Sequence, residues 1–234
     1  GDLSLAGTDL VVVDEADRMA DMGFLPAVRR LLDATAASRQ TLLFSATLDG
    51  DVDVLVRRYQ RAPRRHDVEA DRSSGEVRHV FWRAEATERV GLTAGLVTAH
   101  APALVFCRTR HGADRLTRRL SAAGVLAAPI HGSRTQPQRQ RALAAFSSGR
   151  IQALVATDVA ARGIHVDDVA CVVHFDAAAD AKDYVHRSGR TGRAGAHGMV
   201  VTLVGAEQAK AVRSVQRALG LPQRVGSPDH AALR

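Results

Sequence analysis

The chain has 234 residues, 46% of them hydrophobic, which suits one large or two modest folded domains and excludes an intrinsically disordered protein. Its formal net charge is +7, which favours a polyanionic partner. Lys182 and Lys210 are its lysines, so 30 of its 32 basic residues are arginines, which bind phosphates through two parallel hydrogen bonds.

Neither a membrane span nor a signal peptide is predicted. No apolar run approaches the roughly 20 residues that cross a bilayer, and no charged start precedes an apolar centre. We therefore expect a cytoplasmic protein. Cys107 and Cys171 lie far apart in apolar runs, which predicts two buried structural thiols and neither a disulfide nor a metal site.

Short apolar runs alternate with amphipathic segments along the chain, a pattern typical of βαβ units and a parallel sheet. The predicted strands are Leu10–Val13, 41–45, 103–107, 126–130, Ala153–Ala156, 170–174 and 199–204. The predicted helices include 25–35, 51–59, 112–123 and Gln136–Ser147. The sequence therefore predicts an α/β fold.

A polar segment that contains Pro63 and ends in Ser73-Ser74-Gly75 interrupts this alternation and predicts a domain boundary. We predict a first domain at 1–70, a linker at 71–75, a second domain at 76–219 and a frayed tail at 220–234. The first domain has two clear strands and a possible third at 66–68, which is few for a doubly wound domain. The second has at least five and is expected to be complete.

Polar residues that could bind a ligand or take part in catalysis follow several of the predicted strands. Asp14-Glu15-Ala16-Asp17 follows the first strand, where one carboxylate could hold a phosphate-bound Mg²⁺ and its neighbour could position a water. Ser45 and Thr47 follow the second strand. Their hydroxyls could bridge acidic and basic groups, although such residues also commonly cap helices.

Three further segments add phosphate-binding potential. Gly132 follows a strand and permits close backbone approach, and Arg139 lies on the next helix, whose polar start could also be merely solvent-exposed. Thr157 could cap a helix and offer its hydroxyl to a phosphate. Segment 186–195 holds three arginines and a histidine among glycines, a pattern that favours stabilisation of a transferring phosphoryl group.

Together these segments resemble the DEAD-box family of ATP-dependent RNA helicases, in superfamily 2. Six matching segments stand in the family's order, and the resemblance extends from about residue 9 to residue 204. They are 12–19, 44–47, 105–110, 131–139, 156–163 and 186–195. The resemblance implies two RecA-like parallel-sheet domains, of which the first is incomplete here and the second complete.

The resemblance also implies ATP and Mg²⁺ as cofactors. Asp14 would hold Mg²⁺ through water and Glu15 would orient the hydrolytic water. Arg190 and Arg193 would reach the β- and γ-phosphates. Gly163 and His165 would face the nucleotide, although the family often has Asp where His165 stands.

RNA is the implied partner, and its backbone would be bound without readout of sequence. The implied RNA contacts are Gly132, Arg139, Thr157 and Asp158, with Thr109 and Arg110 as weaker candidates. The residues implied to couple ATP binding to domain closure are Asp17, Ser45, Thr47 and His186. The sequence does not specify which RNA is bound, or which protein partners.

The front part of the family pattern is not found in these residues. They contain no Gly-x-x-x-x-Gly-Lys-Thr phosphate loop, and residues 8–47 contain no lysine. We therefore expect a fragment of an ATP-dependent RNA helicase that hydrolyses no ATP alone, with an uncovered apolar edge on residues 1–70 that lowers their protection from hydrogen exchange.

Two alternatives stay open. Residues 76–219 could be a non-catalytic RNA-binding module. The chain could also be a DNA-acting superfamily 2 helicase of the RecQ type, although that type usually has His where Asp17 stands and often adds a cysteine-rich zinc module.

Overall fold

The computed structural model describes residues 3–48, 50–67, 76–161, 166, 168–193 and 195–229. The chain divides into two compact units, Gly1–Glu69 (unit 1) and Ala70–Arg234 (unit 2). The predicted linker, residues 71–75, lies outside the described residues, as do Gly163 and His165.

Unit 1 contains a small parallel sheet covered by helices on one side. Its elements are β1 (Leu10–Val13), α1 (Ala16–Asp21), α2 (Leu25–Asp33), β2 (Gln40–Leu43) and α3 (Gly50–Tyr59). β1 and β2 pair in parallel, with Val13 opposite Leu43. Both predicted strands are present, whereas residues 66 and 67 of the possible third strand adopt no strand and residue 68 is not described.

Unit 2 alternates strands and helices throughout. Its elements are β3 (Val77–Arg83), α4 (Arg89–Ala99), β4 (Ala103–Phe106), α5 (Arg110–Ala122), β5 (Ala127–Ile130), α6 (Gln136–Ser147), β6 (Ala153–Ala156), α7 (Asp158–Ala161), β7 (Cys171–His174), α8 (Ala181–Ser188), β8 (Gly198–Val204), a 3₁₀ turn (Ala206–Gln208) and α9 (Ala209–Ala218). β3 is absent from the predicted strands because Arg78 and His79 interrupt its apolar run.

The strands of unit 2 form a six-stranded parallel sheet in the order β3-β8-β7-β4-β6-β5. Successive residues point to opposite faces, as in any strand. Val105 packs in a core with α4 and α5, whereas Leu104 packs in a second core with α6, α8 and α9. The sheet is thus buried on both faces, which explains the continuous apolar runs of β4, β6 and β7. The predicted α/β fold with parallel sheets is confirmed.

The two cysteines lie in this sheet region and are both buried free thiols, as predicted. Burial is the first cause that raises the pKa of each thiol to about 12. Neither sulfur is therefore a reactive thiolate near neutral pH.

The expected fraying of the tail is wrong for the part that follows α9 directly. Gly226 donates its N–H to Phe81 O at 3.0 Å and accepts at its carbonyl from Arg83 N at 2.8 Å, so it extends the edge of β3. Gln216, on α9, donates to Pro222 O at 2.6 Å. These bonds satisfy backbone groups of an edge strand that would otherwise face solvent.

In the part of the chain that the structure describes, no helix combines the length and apolar character needed to cross a membrane.

Candidate functional site

The predicted acidic site of unit 1 begins where β1 ends. Phe44 N donates to Val13 O at 2.8 Å and Ala16 N donates to Phe44 O at 3.1 Å, so the pairing of β1 with β2 continues one step past the strands. Asp14 and Glu15 therefore lie at the carboxyl edge of the sheet, where parallel sheets carry their ligands.

The backbone at Glu15 is strained. Glu15 has φ 50° and ψ 44° and immediately precedes α1. A residue with a side chain adopts this left-handed conformation only at a cost, and such residues cluster at functional sites. Glu15 N donates to Asp14 Oδ1 at 2.8 Å, which orients the exposed Asp14 carboxylate.

The geometry of Asp14 fits a magnesium ion held through water. One carboxylate oxygen is engaged by Glu15 N, and no described residue hydrogen-bonds the other, so a water ligand can reach the exposed Asp14. Among the described residues no group of three acidic, histidine or cysteine side chains could form a metal cage. Mg²⁺ does not need one, because it commonly keeps its waters and binds one or two carboxylates plus substrate phosphates.

Asp17 and Ser45, predicted from separate segments, are brought together in unit 1. Ser45 Oγ accepts a hydrogen bond from Asp17 N at 3.1 Å, and Asp17 is 3% exposed. This bond links the start of α1 to the segment after β2. Thr47 is exposed two residues further on.

The predicted RNA contacts of unit 2 lie at the ends of three neighbouring strands. β4, β6 and β5 are adjacent in the sheet and parallel. Thr109 follows β4, Thr157 follows β6 and Gly132 follows β5. Because parallel strands present their carboxyl ends at one edge, these residues share one edge of the sheet.

Two of these positions are defined by local hydrogen bonds. Thr109 caps α5, with its hydroxyl accepting from Gly112 N at 3.0 Å. Arg110 is exposed and donates from Nη1 to Ser133 Oγ at 3.0 Å, which connects the start of α5 to the loop after β5. Thr109 and Arg110 therefore lie beside the loop that contains Gly132.

The loop after β5 is open to approach. A Cβ atom built on Gly132 would meet no heavy atom within 4 Å, and the residue is exposed. Thr135 and Gln138 then form a capping box that starts α6. Arg139, one turn into α6, is partly buried, and its Nε has no hydrogen-bond partner among the described residues.

A buried histidine, unassigned by the sequence analysis, supports this loop. His131 is 1% exposed, its Nε2 lies 2.9 Å from Asp114 Oδ1, and Ser133 N lies 3.3 Å from its Nδ1. Partial burial alone would raise the pKa of Asp114, but hydrogen bonds from His131 and Arg134 outweigh it and lower that pKa. The one sequence feature that could have drawn attention to His131 is its position directly before Gly132.

The sequence analysis grouped Arg187 with the arginines of segment 186–195 that favour phosphoryl stabilisation, but the structure gives it a buried structural contact instead. It is buried, and its Nε and Nη2 donate to the two carboxylate oxygens of Asp158 at 2.6 and 2.8 Å. Its Nη1 donates to Asp176 O at 2.7 Å, and its guanidinium lies 5.2 Å from the Phe106 ring centre. One side chain thus joins the ends of β4, β6 and β7. Its position one turn after Tyr184, on the buried side of α8, was the available signal.

The arginine-rich segment after α8 is anchored to unit 2 by its backbone. Val169 N donates to Arg190 O at 3.1 Å, and the Thr191 hydroxyl bonds Val169 O. Gly198 lies so close to this segment that a Cβ atom built on it would come within 2.8 Å of Gly192 N.

The side chains predicted to act from this segment are less buried than its anchors. Arg193 is exposed and its Nε donates to Gly189 O at 2.7 Å, while His186 and Arg190 are partly exposed. Gly163 and His165 lie outside the described residues, so their predicted places cannot be compared with these.

Two family models match this chain. The model described as "Helicase conserved C-terminal domain" matches residues 88–195, within unit 2. The model described as "DEAD/DEAH box helicase" matches residues 2–55, within unit 1.

Curated relatives agree with both matches. The chain is similar to DEAD-box ATP-dependent RNA helicase 30 of Arabidopsis thaliana, at 40% identity over 95% of this chain and 39% of the relative. It is similar to the ATP-dependent RNA helicase RhlB of Pseudomonas syringae, at 36% identity over 100% of this chain and 60% of the relative. The chain therefore spans between two and three fifths of the length of these two proteins.

A solved structure agrees as well. A DEAD box protein from the hyperthermophile Methanococcus jannaschii is 31% identical, with a TM-score of 0.59, over 97% of this chain and 61% of that one.

Proposed function

Since this chain belongs to the DEAD-box family of RNA helicases, we propose that it binds the RNA backbone through unit 2 and takes part in ATP-dependent unwinding of short duplexes. The chain spans 39% and 60% of two curated relatives, both ATP-dependent RNA helicases by name. The proposed activity is therefore that of a whole helicase, to which these residues contribute.

The observation that carries the RNA proposal is the row formed by the ends of β4, β6 and β5. Thr109, Thr157 and Gly132 share this edge, and Gly132 leaves its backbone open. Hydroxyls, backbone N–H groups and arginines are the donors that bind phosphate and sugar without reading bases. Arg110 and Arg139 add positive charge beside the same loop.

Asp158 has a different proposed role from the one that the resemblance implies. Both of its carboxylate oxygens accept from the buried Arg187, so it presents no free oxygen pair to RNA. We assign it to positioning the segment after β6, and with it Thr157, rather than to direct contact.

The proposed ATP chemistry uses residues of both units. Asp14 would hold Mg²⁺ through water, and the ion would neutralise charge on the phosphates. Glu15, held by its strained backbone, would orient the attacking water. Arg190 and Arg193 would stabilise the transferred phosphoryl group, and Gly163 and His165 would contact the nucleotide.

The coupling residues complete this assignment. Asp17, Ser45, Thr47 and His186 are proposed to link the ATP state to RNA binding. The hydrogen bond between Ser45 and Asp17 supports the unit 1 part of this role, because it already holds two of the four residues together.

We further propose that these 234 residues alone hydrolyse no ATP. Residues 8–47 contain no lysine, and the sequence contains no Gly-x-x-x-x-Gly-Lys-Thr loop to cradle the phosphates. The test is phosphate release by the purified chain with Mg²⁺, ATP and a saturating single-stranded RNA. Release above the protein-free background would contradict this part of the proposal.

RNA binding is tested with a charge placed on the open loop. Gly132→Asp puts a carboxylate where the phosphates are proposed to lie, and we expect at least a tenfold loss of affinity for a short single-stranded RNA in fluorescence anisotropy. Gly91→Asp is the matched control. Gly91 is also an exposed glycine with no heavy atom within 4 Å of its Cβ position, and it lies on α4.

Two results would count against this assignment. Equal affinities of the Gly132→Asp and Gly91→Asp proteins would remove the strand-end face as the RNA site. Equal binding of DNA with the same sequence would favour the DNA-acting alternative, because the 2′-hydroxyl is what distinguishes RNA.

A further inference from the structure

The outer face of α5 carries a row of four exposed arginines, of which the proposed function uses only Arg110. Arg110, Arg115, Arg118 and Arg119 are exposed, while Ala113, Leu116 and Leu120 on the same helix face the core. We call these four arginines the α5 stripe. The segregation of charge to one face means that the stripe can be changed without disturbing the core.

Most of the α5 stripe has no acidic partner. In the parts of the chain that are described, the side chains of Arg115, Arg118 and Arg119 make no hydrogen bond or ion pair. The only acidic residue within α5 is Asp114, and its carboxylate is engaged by His131 and Arg134. The positive charge of the stripe is therefore left for an external anion.

The α5 stripe is continuous with the proposed RNA face. Its first member, Arg110, donates to Ser133 Oγ in the loop that contains Gly132. From Arg110 to Arg119 the helix rises about 14 Å at 1.5 Å per residue. This length is enough for the stripe to contact more than one successive phosphate of a nucleic acid strand.

We propose that the α5 stripe is a second phosphate track, which binds single-stranded RNA that extends beyond the segment held at the ends of β4, β6 and β5. This inference rests on the proposed function, because it takes the strand-end face as the place where the RNA enters. It predicts that longer RNAs gain affinity through Arg115, Arg118 and Arg119, whereas short ones do not reach them.

Unit 2 offers a matched control on the other face of its sheet. Lys210, Arg213 and Arg217 are exposed along α9, beside an open groove of about 540 Å³. α9 packs in the core on the opposite side of the sheet from α5. Removal of these three cations changes net charge by the same amount as removal of three from the stripe.

The experiment compares two triple variants, Arg115→Gln/Arg118→Gln/Arg119→Gln and Lys210→Gln/Arg213→Gln/Arg217→Gln. Glutamine keeps a long polar side chain and a similar helix propensity. Anisotropy titrations use single-stranded RNAs of about 8 and about 20 nucleotides at several salt concentrations. Trp82 fluorescence in each variant verifies that the core of unit 2 is intact, because Trp82 is buried.

We expect the α5 triple variant to bind the longer RNA about tenfold more weakly and the shorter RNA within twofold of the unmodified chain. Its plot of log affinity against log salt for the longer RNA should become shallower by about 2, the amount for three lost phosphate contacts. The α9 triple variant should change both affinities less than twofold.

Two outcomes would overturn the inference alone, and a third marks failure of the proposed function on which it rests. Equal losses in both triple variants would assign the effect to net charge alone. Unchanged binding of the longer RNA by the α5 triple variant, while Gly132→Asp still weakens binding, would remove the second track and keep the first. An unmodified chain that binds neither RNA would overturn the proposed function itself.

Discussion

The sheets of unit 1 and unit 2 are built from similar apolar strands but are covered differently. In unit 2 the residues of β4, β6 and β7 are buried on both faces. In unit 1 the side chains on one face of the sheet are open, with Leu10 50%, Val12 53% and Phe44 56% exposed. The opposite face, with Val13 and its neighbours, packs against the described helices of unit 1.

Within the described part of unit 1, no further strand pairs with the outer edge of β2, which adds to this difference. A cavity of about 780 Å³ lies along β2 and is lined in part by Thr41, Leu43 and Tyr59. The backbone conformation of Asp14 and Glu15 at the end of β1 therefore does not require helices on both faces of the sheet. Strand pairing and the bond from Asp17 to Ser45 hold it locally, whereas the strand ends of unit 2 are held by buried contacts.

The largest expected effect is the loss of Arg187, the buried contact that joins three strand ends. Arg187→Ala leaves the Asp158 carboxylate and the Asp176 carbonyl without their partner, which we expect to cost about 3 kcal/mol of unit 2 stability. Urea unfolding followed by Trp82 fluorescence measures it, because Trp82 is the one tryptophan and lies in the core.

Arg213→Ala is the control for Arg187, since Arg213 is exposed on α9. We expect it to change stability by less than about 0.5 kcal/mol. Equal effects of the two substitutions would mean that the Arg187 contacts contribute nothing beyond the removal of a surface charge.

The second effect is the difference in hydrogen exchange between the units. We expect backbone amides of β1 and β2 to exchange at least about 100-fold faster than those of β4 and β7, because fewer buried apolar contacts oppose local opening in unit 1. Mass spectrometry of exchanged peptides measures both units in one sample. Similar protection in the two sheets would contradict the comparison drawn from their exposure.

The third effect is a pH dependence that belongs to unit 2. His174 is fully buried near Tyr184, Arg187 and His79, and burial is the first cause that lowers its pKa well below the ordinary 6.5. Below pH 6.5 the unfolded chain binds a proton at His174 that the folded chain does not. The His174 contribution to the free energy of unfolding is therefore complete above that pH. It falls as the pH is lowered, by up to about 1.4 kcal/mol per pH unit.

Urea unfolding of unit 2 between pH 7.5 and 5 measures this slope. His174→Gln should reduce the slope and leave the contribution of His79, whose pKa burial also lowers. An unmodified chain with the same stability at both ends of the range would show the assignment to be wrong. Asp114 does not interfere, because its pKa is lowered from 3.8 and its contribution is lost only in stronger acid.

The smallest expected effect tests unit 1. Ser45→Ala removes the acceptor of Asp17 N, and a single hydrogen bond of this kind contributes about 1 kcal/mol. We expect faster exchange at the Asp17 amide by about fivefold, with the amides of β4 unchanged. Thr47→Ala is the matched control, because Thr47 is exposed in the same segment. An unchanged Asp17 amide would show that the bond does not stabilise the start of α1.

Much of the fold could be predicted because its strands are continuous apolar runs. Leu10–Val13 and Ala153–Ala156 are found at the predicted bounds, as is the helix Gln136–Ser147. β3 escaped prediction since it lies at the sheet edge, where charged residues are tolerated. The ordered part of the tail escaped because its bonds go to residues of β3, more than a hundred positions earlier.

The candidate site divides in the same way. Asp14, Ser45, Gly132 and Thr157 could be singled out because each directly follows an apolar run. Arg187 and His131 could not, since their partners Asp158 and Asp114 lie 29 and 17 residues away in the chain. Apart from the helical spacing of Arg187 from Tyr184, nothing local distinguishes an arginine that binds an external phosphate from one that neutralises a buried carboxylate.

The sequence by itself determined the family, the α/β class and the strand ends at which the chemistry is expected, because these depend on neighbouring residues and their order. The tertiary structure alone decided that Asp158 faces Arg187, that His131 supports the loop of Gly132, and that the α5 stripe continues from that loop. These features depend on burial and on contacts between distant segments, which exist only once the strands have paired.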